Sequence, residues 1–91
     1  MTLFDAPVQP APVDPLPGWL HTGNASKVGQ IYRILRAAGS RGVTNAELAA
    51  WGRENYCTSV FERLRDIRKA RSGSVVATQV TRGTWVYVLT E

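Results

Sequence analysis

The spacing of apolar residues changes once near the C-terminal end of the 91-residue chain, and this change constrains the fold more than any other feature. From Thr58 to Ala70, apolar residues recur at helical intervals. From Ser74 onward the apolar residues follow a period of two through "SVVATQV" and "TWVYVL", with Arg82 and Gly83 in the turn between these segments. The first pattern predicts an α-helix. The second predicts an antiparallel β-hairpin in which Gly83 adopts the positive φ of a tight turn.

A first helix is predicted upstream, over residues 26–38. Its apolar residues follow the i, i+3, i+4, i+7 template and are Val28, Ile31, Tyr32, Leu35 and Ala38. Gly39 and Gly42 flank the segment that follows, where glycine gives the backbone the freedom to end one helix and to turn toward the next.

The segment "VTNAEL" contains the clearest helix start in the chain. Thr44 is a suitable N-cap, and Glu47, three residues later, can complete a capping box. Val43 and Leu48 occupy the two positions of a hydrophobic staple. We therefore expect a short second helix over residues 45–51 that stops at the glycine following it.

The third predicted helix, over residues 58–70, has a mixed outward face. Its apolar stripe consists of Val60, Phe61, Leu64 and Ile67. At 100° per residue, the side opposite this stripe contains Ser59, Glu62, Arg63 and Asp66, and one flank contains Thr58, Arg65 and Lys69. Thr58 or Cys57 is expected to cap the helix.

Residues 1–23 differ in composition from the rest of the chain. Five prolines lie between residues 7 and 17, and each removes a backbone donor and restricts the residue before it to extended conformations. We therefore expect a flexible proline-rich arm over residues 1–23 and a folded domain over residues 24–91. The arm could dock on a partner through its PxxP spacings, and Trp19 and Leu20 could fold back onto the domain.

The predicted domain is basic. Residues 25–91 carry eleven Lys and Arg side chains against five Asp and Glu side chains, a net charge of +6, which favours an anionic partner such as nucleic acid. Cys57 is the only cysteine, so an internal disulfide is excluded and a reducing compartment is expected. No stretch approaches the roughly 18 apolar residues of a membrane span, and the N-terminus does not have the pattern of a secretory signal. We expect a cytoplasmic protein without membrane contact.

The order of these elements predicts an α+β protein of the winged helix-turn-helix type, in which three helices precede a C-terminal two-stranded antiparallel β-hairpin, the wing. In this architecture the third helix enters the major groove of DNA. The wing would place Arg82 beside phosphates or in the adjoining minor groove. An arginine in a hairpin turn can also serve only to keep the turn soluble.

Three segments, "GVTNAELAAWG", "TSVFERLRDIRKA" and "WVYVL", resemble the small winged-helix proteins that are common in bacteriophage genomes. The resemblance covers about residues 26–90 and rests on the order and spacing of these short motifs. It implies binding of double-stranded DNA in transcriptional or prophage control, with Thr58, Ser59 and Arg63 pointing into the groove. Such a protein would be found in the cytoplasm of a bacterial host, and on the nucleoid when bound to DNA.

The candidate DNA-binding residues lie in the second helix, the third helix and the hairpin turn. They are Asn45, Thr58, Ser59, Glu62, Arg63, Arg65, Lys69 and Arg82. Asn45 could offer its backbone N–H to a phosphate, or could only favour the first helical turn. Glu62 could accept a hydrogen bond from cytosine. Alternatively, Glu62 pairs with Arg65, and Asp66 pairs with Lys69, as exposed ion pairs.

No catalytic or metal-binding constellation is apparent in the sequence. There is no phosphate-binding glycine loop, no cluster of metal ligands and no histidine placed to activate Ser or Cys, so we expect neither an enzyme nor a cofactor. The leading hypothesis is a sequence-selective regulator that acts as a homodimer or on a tandem site, because one recognition helix reads only a few base pairs. One alternative is a winged-helix module that binds a host protein through Trp51, Trp85 and Tyr87 or through the arm. Another is an architectural protein that coats DNA without sequence preference.

Overall fold

The computed structural model describes residues 16–23 and 26–90. In this part of the chain the protein is α+β, with three α-helices and a three-stranded antiparallel sheet. The elements are α1 (Lys27–Ala38), β1 (Val43–Thr44), α2 (Asn45–Glu54), α3 (Val60–Ala70), β2 (Val75–Thr81) and β3 (Thr84–Leu89), with a turn of 3-10 helix at Gly39–Arg41 between α1 and β1.

The sheet has the strand order β1-β3-β2, so that β3 lies in the centre. The predicted pairing of β2 with β3 is confirmed, and Gly83 has the expected positive φ of 82° in the turn. The sequence predicts two strands, whereas the sheet has a third, β1, which pairs Val43 with Tyr87 and Thr44 with Val86. Strand β1 has only two residues, too few for alternation to be recognised, and it forms because β3 offers it a free edge.

The segment between α1 and β1 brings the backbone close to β3. Gly39 ends α1 with a φ of 59°, and Gly42 has a φ of 77°, as the glycine positions predict. A Cβ on Gly42 would lie 2.5 Å from a Val86 methyl carbon and 2.9 Å from the Tyr87 carbonyl oxygen. Glycine is thus needed here both for its conformation and for the closeness of the central strand.

The predicted start of α2 is confirmed, but its predicted end is wrong. The Thr44 hydroxyl accepts the Glu47 N–H at 3.1 Å, and the Glu47 carboxylate accepts the Thr44 N–H at 2.9 Å. The helix continues through Gly52 to Glu54. Gly52 is buried within the helix, because α3 approaches so closely that a Cβ would meet a Val60 methyl group and the Cys57 carbonyl oxygen. This glycine provides space for packing and does not end the helix.

Helix α3 begins two residues later than the sequence predicts. Ser59 occupies the N-cap position and makes no side-chain capping hydrogen bond, so the expected cap by Thr58 or Cys57 is wrong. Cys57 is instead buried, and its N–H donates to the Gly52 carbonyl oxygen at 2.8 Å. Since this bond ties Cys57 to α2, the chain makes a turn at residues 58–59 before it enters α3.

The hydrophobic core lies between the three helices and the inner face of the sheet. Its buried members are Leu20, Ile31, Tyr32, Leu35, Val43, Leu48, Cys57, Val60, Leu64, Ile67 and Val75. Leu20 comes from the predicted arm and is only 5% exposed, while Leu16 and Trp19 pack against the same core. Residues 16–23 therefore cover one side of the helices, and residues 1–15 of the predicted arm lie outside the described residues.

Replacing Gly52 by Ala tests the close approach of α2 and α3. The added methyl group has no space beside Val60 and Cys57, so we expect a loss of about 1 to 3 kcal/mol in the free energy of unfolding, despite the higher helix propensity of Ala. Gly18→Ala is the matched control, because nothing lies within 4 Å of the Cβ that it would add. Urea unfolding followed by circular dichroism measures both variants. Equal unfolding midpoints would contradict the packing described.

The capping box predicts a pH dependence of stability. The Thr44 backbone N–H holds the pKa of the Glu47 carboxyl below its usual value; desolvation opposes this shift, and the Thr44 hydroxyl and the Arg41 charge add to it. A carboxyl group whose pKa is lowered in the folded protein stabilises the fold at pH values above its usual pKa. This stabilisation is lost as the pH falls through the lowered pKa. We expect Glu47→Gln to flatten the decline of Tm below about pH 4.3. Glu54→Gln, at the other end of α2, is the control and should show the same decline of Tm as the parent. Identical curves of Tm against pH for the parent and both variants would show that the capping box does not contribute to the pH dependence.

Candidate nucleic-acid interface

The two flanks of α3 face different parts of the molecule. Val60, Leu64 and Ile67 form the buried side, which packs mainly against α1. At 100° per residue, Arg63 and Asp66 lie on one flank of this buried side and Phe61 lies on the other. The contacts of these side chains show which flank faces the N-terminal segment and which faces the hairpin.

Arg63 lies on the flank that faces the N-terminal segment. Together with Asp66 and Ala70 it lines a cavity of about 540 Å³ whose other walls are residues 19–22 and Val28. Its guanidinium is 3.4 Å from the Asp66 carboxylate and 4.0 Å from the Glu62 carboxylate. The predicted pairs of Glu62 with Arg65 and of Asp66 with Lys69 are not among the ion pairs of the described residues, because Arg63 lies between both acids.

The outward placement predicted for Arg63 and Asp66 is therefore not what the structure shows. Both are half-buried, and Arg63 Nε is buried without a hydrogen-bond partner in the structure. The physical reason is the N-terminal segment, since Leu20 enters the core and shields this flank from solvent. The helical wheel identified the apolar stripe, but it could not show that residues from the predicted arm cover one side of it.

The opposite flank of α3 faces the hairpin. The ring of Phe61 lies 6.2 Å from that of Tyr87 on β3, with an angle of 46° between the ring planes. Arg65 and Arg68, four and seven residues after Phe61, follow on the same flank and are exposed. Consequently the flank of α3 that faces the hairpin is basic.

The outermost face of α3 is formed by Glu62, Arg65 and Lys69, all of them exposed. Because the Glu62 carboxylate is drawn toward Arg63 at the edge of this face, the positive charges of Arg65 and Lys69 dominate its centre. The candidates Thr58 and Ser59 lie in the turn before the helix, where Thr58 is exposed and Ser59 is half-buried.

Asn45 has a role that the sequence did not reveal. Its side-chain amide donates a hydrogen bond to the Gly83 carbonyl oxygen at 3.0 Å, and its side-chain oxygen accepts the Trp85 N–H at 3.1 Å. These two bonds fasten the hairpin turn to the first residue of α2. Arg82, exposed in that turn, is therefore held near the start of α2.

Three residues at this surface were not among the DNA-binding candidates drawn from the sequence. Phe61, which the sequence placed in the apolar stripe, is 43% exposed. Trp85, predicted above only as a possible contact to a host protein, is 38% exposed on β3, and Arg68 is exposed on the hairpin-facing flank of α3. The alternation in β3 does place Trp85 and Tyr87 on one face. It could not show that α3 would bring Phe61 to that face.

Comparisons of the chain with models of protein families, with curated proteins and with solved structures found no match. Within residues 16–23 and 26–90, no helix combines the length and the hydropathy needed to cross a bilayer. The same residues contain no group of His, Cys, Asp and Glu side chains suited to hold a metal ion.

We expect Asn45→Ala to loosen the hairpin turn. Two exposed hydrogen bonds are lost, so the free energy of unfolding should fall by about 1 kcal/mol, and the Trp85 amide should exchange with solvent faster than in the parent. Hydrogen exchange followed by NMR measures this amide. In the control Asn55→Ala, the bond from the Asn55 side chain to the Trp51 carbonyl oxygen is removed at the other end of α2. If the Trp85 amide hydrogen exchanged at the same rate in both variants, Asn45 would not hold the turn.

Proposed function

We propose that this protein is a winged helix-turn-helix protein that binds double-stranded DNA and regulates transcription in a phage or prophage. In this proposal the outward face of α3 enters the major groove, and the hairpin acts as a wing that brings Arg82 to the DNA backbone. The protein would act on the nucleoid of the host cell, as a homodimer or on a tandem site.

The order of the elements supports the fold assignment. Three helices with a short strand between the first two, followed by a hairpin whose last strand is central in the sheet, form the arrangement α1-β1-α2-α3-β2-β3. A second and a third helix followed by a hairpin is the order expected of a winged helix-turn-helix domain, which reads the major groove with its third helix.

The observation that carries the proposal is the clustering of cations on the hairpin-facing and outward sides of α3. Arg65, Arg68 and Lys69 are exposed on the helix, and Arg82 is exposed in a turn fixed by Asn45. Basic residues on adjoining elements can neutralise phosphates of one duplex and release counterions, which supplies most of the affinity of such proteins for DNA.

The structure changes which arginine we expect to read bases. Arg63 is engaged with Asp66 beside the N-terminal segment, whereas Arg65 is exposed on the outward face. We therefore assign base contact in the groove to Arg65 and to Glu62, whose carboxylate could accept from cytosine. Lys69 and Arg82 are assigned to phosphates, and Thr58 and Ser59 to the backbone beside the start of α3.

A second candidate function is docking onto a host protein. Tyr56 is 94% exposed at the turn between α2 and α3, beside a mainly apolar cavity of about 420 Å³ that Val60 and Phe61 help to line. The surface around Trp51 suits this function less well, because the Lys27 ammonium lies 5.9 Å from its ring centre. Capture of a partner from a nuclease-treated host lysate would favour docking, since a partner bridged by DNA would be lost.

Substitution of single arginines tests the proposed DNA interface. Arg65→Ala should cost about 1 to 3 kcal/mol at a preferred site and relax selectivity there. Arg82→Ala should weaken binding to all duplexes alike. It should also reduce the slope of the logarithm of the binding constant against the logarithm of the salt concentration by about 0.9. Fluorescence anisotropy with labelled duplexes, recovered by selection from a random library, measures both effects. Recovery of unrelated duplexes with equal affinity would identify an architectural protein.

Two further arginines serve as comparisons. Arg36→Ala removes an exposed charge from the last turn of α1 and should leave binding unchanged. Arg63→Ala should have less effect on selectivity than Arg65→Ala. If Arg63→Ala alone abolished selectivity, α3 would present a different face to DNA, and if no duplex were bound at about 50 mM salt, the proposed function would fail.

A further inference from the structure

Three aromatic rings form a row between α3 and the turn of the hairpin. Phe61 on α3 contacts Tyr87 on β3, with their ring centres 6.2 Å apart. Trp85 lies two residues from Tyr87 on the same face of β3, about 6.6 Å along the strand. Phe61 and Trp85 are 43% and 38% exposed, so the row is open to solvent at both ends. We call Phe61, Tyr87 and Trp85 the aromatic row.

The row is bordered by positive charges. Arg65 and Arg68 follow Phe61 on the same flank of α3, and Arg82 lies in the turn beyond Trp85. The nearest acids on α3, Glu62 and Asp66, are turned toward Arg63 on the other side of the helix. Rings flanked by cations, with the acids of α3 turned away, form a surface that is complementary to a polyanion carrying flat apolar groups.

We propose that the aromatic row stacks on unpaired bases, so that the preferred ligand is DNA with a single-stranded stretch beside a duplex. This inference rests on the proposed DNA-binding function and specifies the form of DNA that the site takes. The bases stack on the rings of Trp85 and Phe61, while Arg68 and Arg82 contact the phosphates on either side.

The chemistry of the row favours unpaired bases over an intact duplex. In a duplex the base faces are covered by neighbouring bases, and only base edges and the thymine methyl group are accessible in the grooves. An exposed indole or phenyl ring therefore finds a flat partner only where bases are unstacked. Stacking of this kind tolerates any sequence, because every base has a π-face.

The orientation of Trp85 is supported by contacts that do not involve a ligand. Its backbone N–H is held by Asn45, and its strand is paired with β1 and with β2. Strand pairing and the bond to Asn45 fix the backbone from which the ring projects before any DNA arrives. A ring on a fixed backbone loses only side-chain entropy on binding, and this increases its contribution to affinity.

The test compares three ligands of one sequence: a blunt duplex, the same duplex with a single-stranded overhang of about eight nucleotides, and the single strand alone. Anisotropy of labelled DNA gives the affinities of the full chain. We expect the overhang to increase affinity by about 5- to 150-fold for each ring that stacks on a base. Trp85→Leu and Phe61→Leu should each remove the contribution of one ring and leave binding of the blunt duplex within about twofold, since no ring stacks there.

Trp51→Leu is the matched control. It removes the same type of ring from a site where Trp51 lies beside Ile34 and Val43 and under Lys27, away from the row. This variant should keep the parent's preference for the overhang. It should also keep the quenching of tryptophan emission that stacking on Trp85 produces, which Trp85→Leu should lose. Thermal unfolding of all variants checks that they are folded at the temperature of the assay.

The outcomes separate this inference from the function on which it rests. Equal affinity of the parent for the blunt duplex and the overhang ligand would overturn the role of the row and leave duplex binding intact. If Trp85→Leu lost affinity equally for the blunt duplex and for the overhang ligand, the role of the row would also be overturned. The ring would then contribute to duplex binding or to the fold. Failure to bind any of the three DNAs would overturn the proposed DNA-binding function itself.

Discussion

The position of β3 between β1 and β2 is the constraint on which the rest of the structure depends. A two-stranded hairpin is marginally stable in water by itself, but here its second strand is also paired with β1 and packed under the helices. Since β1 leads directly into α2, the pairing of Val43 with Tyr87 joins the hairpin to the start of that helix. The bonds from Asn45 extend this connection to the turn. The position of Arg82 relative to the helices is set in this way by strand pairing and by the Asn45 side chain.

The junction between α3 and β2 fixes the other end of the hairpin. Ser74, only 2% exposed, donates its hydroxyl to the Ile67 carbonyl oxygen in α3. Its own carbonyl oxygen accepts the Thr90 N–H at 2.8 Å, which closes the base of the hairpin. A buried hydroxyl is stabilising only when it is hydrogen-bonded, and this one links the last turn of α3 to both strands. The hairpin is thus held to α3 at its base and to α2 at its tip.

The charged side chains of α3 differ between its two flanks. Arg63 is held by Asp66 and Glu62 on the flank covered by the N-terminal segment, and the Arg71 guanidinium lies 5.6 Å from the Trp19 ring on that side of the molecule. Arg65, Arg68 and Lys69 have no such partners among the ion pairs of the described residues and are exposed. Among the cations of α3, those without an ion pair therefore lie on its hairpin-facing and outward sides, and both proposals rest on this asymmetry.

The sequence by itself determined the local structure. The capping box at Thr44, the helical spacing of Ile31 and Leu64, and the alternation around Gly83 each depend on residues a few positions apart. The elements that they predict are all present, although α2 ends three residues later and α3 begins two residues later than expected. Only the tertiary structure decided that Gly52 lies inside a helix, that Val43 and Thr44 form a strand, and that Leu20 covers the flank of α3 that contains Arg63. The physical reason is that these outcomes depend on the closeness of segments distant in the chain. Periodicity shows which side of an element is apolar, but it does not show which neighbour will cover it.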